Sequence, residues 1–199
     1  MLNVTMPQPI HSFSSNTYVI SSAGEYAVID PSVPYDGSLC PGVLKYVLLT
    51  HSHFDHILEI DSWVNAGCEV IVSERERNFL ADPDRNCYSL FFGVSKGYFG
   101  DSRGVSEGNT LRLGDDEIEV LETPGHTVGS LVYRVGDICF CGDTVFAGGG
   151  YGRFDLPSGN VQDLRASIDR ICHLPDEYVL YPGHGSPTTV KQYKEDFFR

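Results

Sequence analysis

Five of the seven histidines fall in three short segments, each directly after an apolar run that reads as a β-strand. The first, Thr50-His51-Ser52-His53-Phe54-Asp55-His56, follows Val43–Leu49, which is nearly continuous in apolar residues, as expected of a strand covered on both faces. The second is Thr123-Pro124-Gly125-His126-Thr127 and the third Tyr181-Pro182-Gly183-His184-Gly185. In a type II turn Pro presets the first angle and Gly supplies positive φ at the second. Each Pro-Gly pair therefore predicts a turn that lifts the next imidazole at a strand's end. A chain built this way has to bring several strand ends to a common edge.

The same residues carry a chemistry. On extended backbone His51 and His53 project to one side, which suits two ligands on one ion. Asp55 and His56 follow where a turning backbone can aim them at a second point. Imidazoles with a carboxylate are ligands for zinc, iron or manganese. Cys141-Gly142-Asp143-Thr144 ends another apolar strand and offers a carboxylate able to bridge two cations that would otherwise repel. The candidate ligands are then His51, His53, Asp55, His56, His126, Asp143 and His184, three per ion plus a bridge. An open position remains on each ion, the mark of a catalytic rather than a structural site. His11 and His173 lack such a setting and read as structural.

Charge prunes the partners. The 199 residues hold 14 Lys+Arg against 27 Asp+Glu, a net charge of −13, which leaves no basic face for nucleic acid or an anionic membrane. No apolar run approaches the ~20 residues of a membrane helix. The N-terminus lacks the n- and h-regions of a signal peptide, so the expected location is cytoplasmic. The six cysteines, Cys40, Cys68, Cys87, Cys139, Cys141 and Cys172, are accordingly expected to be reduced. Cys139 and Cys141 share one strand face and read as small buried hydrophobes.

The chain reads as two halves that echo each other. Strands are predicted at Leu2–Met6, Thr17–Ser21, Tyr26–Ile29, Lys45–Thr50 and Glu69–Val72, with a helix over Phe54–Ala66 ended by Gly67. Ser73 is expected to cap a second helix reaching about Leu80. The second half offers strands at Thr110–Leu113, Glu117–Glu122, Gly129–Val135, Ile138–Cys141 and Tyr178–Leu180, with helices over Val161–Cys172 and Val190–Phe198. Two mixed sheets packed together with helices outside, an α/β (α+β) architecture, follow from that order. Ala81–Ser106, punctuated by Tyr88, Phe91, Phe92, Tyr98 and Phe99, reads equally as a binding loop or as the closure of one end of the core.

These residues resemble the metallo-β-lactamase fold superfamily, and within it the short glyoxalase II-like hydrolases. The resemblance rests on His51-x-His53-x-Asp55-His56, Pro124-Gly125-His126-Thr127-x-Gly129-Ser130, Gly142-Asp143-Thr144-x-Phe146, Gly152-Arg153-x-Asp155-Leu156-Pro157 and Pro182-Gly183-His184-Gly185. It implies one αββα domain over residues 1–199 with a dinuclear site at one edge of the sheets. By that resemblance one metal takes His51, His53 and His126, the other Asp55, His56 and His184, and Asp143 bridges. Asp30 looks like the family's carboxylate that orients the His loop, and Arg153 is placed to meet an anionic substrate. Lactamases of the main dizinc class carry Cys where this chain has Asp143, and flavodiiron proteins carry Glu at the position of His53.

The activity implied is hydrolysis of a thioester or related ester by water activated between two divalent ions, zinc by preference, with iron or manganese as alternatives. Asp55 and Asp143 are the candidate catalytic carboxylates. The chain ends fifteen residues after His184, so the helical glutathione-binding domain of full glyoxalase II enzymes is not expected, and the substrate is expected to be a small thioester. The resemblance also carries an alternative, a mononuclear-iron persulfide dioxygenase using His51, His126 and Asp143. A non-catalytic metal-binding module is the third reading, which the open coordination positions disfavour.

Overall fold

The computed structural model describes residues 2–199. Strict alternation in the first strands sets its layers. In β2 (Tyr18–Ser22) and β3 (Glu25–Ile29), Tyr18, Ile20, Ala27 and Ile29 turn to one face, while Val19 and Val28 turn to the other. Both faces are apolar, so both must be covered.

The first sheet adds β1 (Asn3–Thr5), β4 (Val43–Leu48), β5 (Glu69–Ser73) and β6 (Arg103–Val105) in the order β1-β2-β3-β4-β5-β6. It is antiparallel through β3 and parallel beyond. The second sheet is built from β7 (Thr110–Leu113), β8 (Asp116–Glu122), β9 (Leu131–Val135), β10 (Ile138–Gly142), β11 (Val179–Pro182) and β12 (Thr188–Thr189). Its order is β12-β11-β10-β9-β8-β7, and only β10 and β11 run parallel.

Three apolar layers follow. Between the sheets, Ile20, Ile29, Leu48 and Ile71 meet Leu113, Val120, Tyr133 and Phe140. Outside the first sheet, Val28, Val47 and Val70 pack on Trp63 of helix α1 (Ile60–Val64) and on Tyr88 of helix α2 (Tyr88–Phe92). Outside the second, Val132, Cys139, Cys141 and Leu180 pack on helices α3 (Val161–Cys172) and α4 (Val190–Phe197). Each Val, Leu or Ile taken fully out of water in these layers contributes about 1.5–3 kcal/mol. The αββα arrangement expected from the sequence is the one observed. Cys139 and Cys141 are buried hydrophobes, and all six cysteines are free thiols. Among the described residues no helix is long and apolar enough to cross a membrane.

Two expected helices differ. Phe54–Ala66 is a 3-10 turn, Phe54–His56, followed after a break by α1. The cause is local. The Asp55 carbonyl, which a continuous helix would offer to the Glu59 N–H, is taken by the Ser15 N–H at 3.3 Å and by the Ser32 hydroxyl, and Glu59 N–H donates instead to the Pro31 carbonyl at 2.9 Å. Ser73 does cap a turn, accepting from Arg75 N–H at 3.3 Å, but Glu74–Phe79 winds as 3-10 rather than α helix. Within 81–106 the aromatics divide. Tyr88 and Tyr98 join the core, Phe91 and Phe92 face a cavity, and Phe99 is exposed. The short elements α2, β6 and β12 carry no strong sequence signal.

Candidate metal centre

Four strand ends converge at one edge. β4 runs out through Leu49 and Thr50 into His51, β8 into the turn before His126, β10 into Asp143, and β11 into His184. β10 and β11 are parallel neighbours with Gly142 opposite Pro182, so Asp143 and His184 emerge side by side. The two sheets are tied at the same edge. Leu131 N–H donates to the Thr50 carbonyl at 2.8 Å, and the Tyr133 hydroxyl to the Leu49 carbonyl at 2.9 Å.

All seven candidate ligands from the sequence arrive together. His126 Nε2 lies 3.2 Å from His51 Nε2 and 2.9 Å from His53 Nδ1, so three ring nitrogens point at one another. His184 Nε2 lies 3.0 Å from Asp55 Oδ2, and His56 Nε2 lies 3.7 Å from the same oxygen. Asp143 sits between the groups, with Oδ1 3.4 Å from His56 Nε2 and Oδ2 3.7 Å from His126 Nε2 and 3.6 Å from His184 Nε2. His51, His53 and His126 form one cluster of metal-binding geometry, Asp55, His56 and His184 another, and Asp143 groups with His51 and His56.

The donor set fits cations. His56 Nε2 and Asp143 Oδ1 are fully buried and bonded to nothing among the described residues, a costly state for polar atoms unless a further partner belongs there. Hydrogen bonds turn three rings so that Nε2 carries its lone pair inward. His126 Nδ1–H donates to the Arg153 carbonyl at 2.6 Å, and His56 Nδ1–H to Asp30 Oδ2 at 2.8 Å. Thr50 Oγ1 donates to Asp30 Oδ2 at 2.7 Å and is thereby left to accept from His51 Nδ1 at 3.1 Å.

Electrostatics divides the two clusters. Burial, then the neighbouring imidazoles, holds His51 well below its ordinary pKa, and burial with His126 brings His53 down to about 3. Burial opposes the charged form of His56 too, but the carboxylates of Asp30, Asp55 and Asp143 outweigh it and hold His56 well above the usual imidazole range. His184 is raised in the same way against its burial, by its hydrogen bond to Asp55 and by Asp143. Asp55 and Asp143 are held down, against burial, first by His56.

Asp30 follows β3 and hydrogen-bonds both Thr50 and His56. Its φ of 50° is a strained value for a residue other than Gly, held by Thr50 N–H donating to Oδ1 at 2.8 Å and by the two contacts to Oδ2. Arg153 lines the cavity in front of the cluster, but Asp155 grips its guanidinium with both oxygens at 2.7 and 2.9 Å. Of the two Pro-Gly turns, only the first has the positive φ expected, 133° at Gly125. Gly183 has no positive φ; a β-carbon there would overlap Asp143 Oδ1 and come within 2.8 Å of His56 Cε1. That glycine provides space, not conformation.

Two further residues escaped sequence reasoning. Glu76, fully buried, accepts from Ser52 N–H at 2.8 Å and Gly129 N–H at 3.0 Å, tying the His51/His53 loop to the loop after His126. Asn16 Nδ2 donates to the Pro182 and Gly185 carbonyls at 3.0 and 2.8 Å, bracing the His184 turn. Their signal was slight: a Glu in a charged helical stretch and an Asn in a polar loop. Of the two histidines read as structural, His173 ends α3, and His11 stacks on Phe13 at the cavity rim.

A family model described as the metallo-beta-lactamase superfamily matches residues 12–184. The chain belongs to that superfamily. It is 31% identical to the probable metallo-hydrolase YqgX of Bacillus subtilis (strain 168), over 92% of this chain and 90% of that one. The structure is similar to that of the BLEG-1 B3 metallo-beta-lactamase, with a TM-score of 0.87 and 29% identity, covering 100% of this chain and 99% of the other. It is also similar to TTHA1623 in a di-iron-bound form, with a TM-score of 0.82 and 27% identity over 96% and 98% of the two chains. Membership of that superfamily, the relative described as a probable metallo-hydrolase and the His/Asp cluster of metal-binding geometry together support a metal-dependent hydrolase.

Proposed function

We propose that this protein is a dinuclear-metal hydrolase of thioesters or related esters. His51, His53 and His126 hold one divalent ion, Asp55, His56 and His184 the other, and Asp143 bridges them. The observation that carries this reading is Asp143 itself, with one carboxylate oxygen facing His126 and His184 and the other, buried and unpartnered, facing His56. Bound there, two divalent ions would supply water acidic enough to ionise near neutral pH and an electrophile for a carbonyl oxygen.

The chain's own residues set up that chemistry. Asp55, held ionised and facing the cavity, accepts a hydrogen bond from the attacking water and so aligns it. Asp30, Thr50 and the Arg153 carbonyl fix the imidazoles. The cavity in front, about 490 Å³, receives the acyl group, with Arg153 on its wall. A thiolate leaves readily without a strong general acid, which matches a site whose titratable groups are committed to the cluster.

Elemental analysis of metal per chain, paired with turnover of a simple thioester, tests this. Two ions per chain in the parent and one or fewer in Asp143→Asn, with turnover down at least about a hundredfold, are expected. One iron per chain with oxygen-dependent persulfide turnover would assign the dioxygenase instead. Preferential opening of a chromogenic β-lactam would assign a lactamase.

A further inference from the structure

The cavity has an uneven wall. One side is the His/Asp cluster; the other is Phe13, Phe54, Phe91, Phe92, Phe146 and Leu156. The rings touch. Phe54 packs edge-on against Phe92 with centroids 5.1 Å apart and lies 5.2 Å from Phe91, and Phe13 meets Phe92 at 5.5 Å. Phe146 stands edge-on to His184 at 6.0 Å, so the apolar wall reaches the cluster itself.

Three of these rings remain wet. Phe13 is 40% exposed, Phe91 49% and Phe92 45%, and all three line the cavity in front of the cluster. Rings that size are normally buried, and concentrating three at a cavity mouth leaves apolar surface that an occupant of matching character would cover. Among the described residues, Arg153 is the only Arg or Lys on the wall, and Asp155 already neutralises it with a two-pronged ion pair. With a net charge of −13 around it, the cavity offers an anionic acyl group little.

We infer that the acyl group this site takes is aromatic, its ring lying against Phe54, Phe91 and Phe92 while its carbonyl reaches the His/Asp cluster. This rests on the hydrolase reading above. A ring is favoured over an alkyl chain because the wall is a broad pocket of tilted phenyl rings, which gain from edge-to-face and offset contact with another ring. The net reaction is water plus an aryl-acyl thioester giving an aryl carboxylic acid and a free thiol.

The test uses three thioesters of one thiol, N-acetylcysteamine, carrying acetyl, octanoyl and phenylacetyl groups, with the protein as purified. A kcat/KM for phenylacetyl at least about thirtyfold above acetyl, and above octanoyl, is expected, within the ~10–200-fold that filling an apolar pocket supplies. The phenylacetyl-to-acetyl ratio should fall below about fivefold in Phe92→Ala, since that ring bounds the pocket. Binding of phenylacetate and acetate, compared by calorimetry, is the second readout and needs no turnover. Acetyl equal to phenylacetyl, octanoyl above phenylacetyl, or equal binding of the two carboxylates would overturn the aromatic assignment. Absence of turnover with all three thioesters would overturn the hydrolase reading instead, and the aromatic pocket would then stand or fall on the binding ratio.

Discussion

Asp30 Oδ2 lies 2.8 Å from His56 Nδ1, joining the end of β3 to the turn that carries Asp55 and His56. The same carboxylate receives the N–H and hydroxyl of Thr50, the residue before His51. One side chain therefore sets the angle of two imidazoles, one in each cluster.

Replacing that carboxylate by an amide keeps its shape and removes its charge. Asp30→Asn should bind metal about 10–100-fold more weakly, the range for loss of a partner that orients a ligand. Titration of the metal-free variant with zinc, followed by competition with a chromogenic chelator, would measure it. Unchanged affinity would refute the orienting role.

Gly183→Ala is a steric test of the space between Asp143 and His56. The added methyl cannot fit unless the carboxylate moves. Metal content should fall by at least half, while circular dichroism and Tm of the metal-free protein shift little, because the position lies at a strand end outside the three apolar layers. A full metal load would mean that the turn relaxes without cost.

Glu76→Ala leaves two buried N–H groups, of Ser52 and Gly129, without their acceptor, at about 1–3 kcal/mol each. Urea unfolding of the metal-free variant should show that loss. Glu76→Gln retains one acceptor oxygen and should recover part of it, which a mere cavity effect would not predict.

Acidification should empty the two clusters in order. His56 and His184 are raised above the ordinary 6.5, so protons compete for them first as pH falls. His51 and His53 are depressed, His53 to about 3, so they stay available as ligands well below pH 6. Metal per chain after dialysis across pH 8 to 5 should step from two to one as the Asp55/His56/His184 cluster empties. Loss of both ions in a single step would contradict this.

The candidate ligands were legible because metal chemistry restricts residue type and the strand-end position restricts placement. His51, His53, His126 and His184 could be picked out before any fold was known. The layers were legible from alternation, as in Tyr18-Val19-Ile20. Glu76 and Asn16 were not, because they act through backbone groups of distant loops, and neither side chain's type reveals its partner. The broken helix at residues 57–59 was equally hidden, since the Pro31 carbonyl and the Ser15 N–H that rewire it lie more than 25 residues away in sequence. The crowding that requires Gly183 shows only when Asp143 and His56 are beside it.

The clustered side chains hang from different layers: residues 51–56 from the first sheet, and His126, Asp143 and His184 from the second. Ions held among them would clasp the two layers at their shared edge. A ligand that binds only the folded chain adds about 2.7 kcal/mol when present at a hundred times its Kd, and here that gain would resist the sheets parting. A copy made under metal starvation would open more often at this seam and meet proteases sooner. Cellular abundance of the protein would then track metal supply even with synthesis held constant.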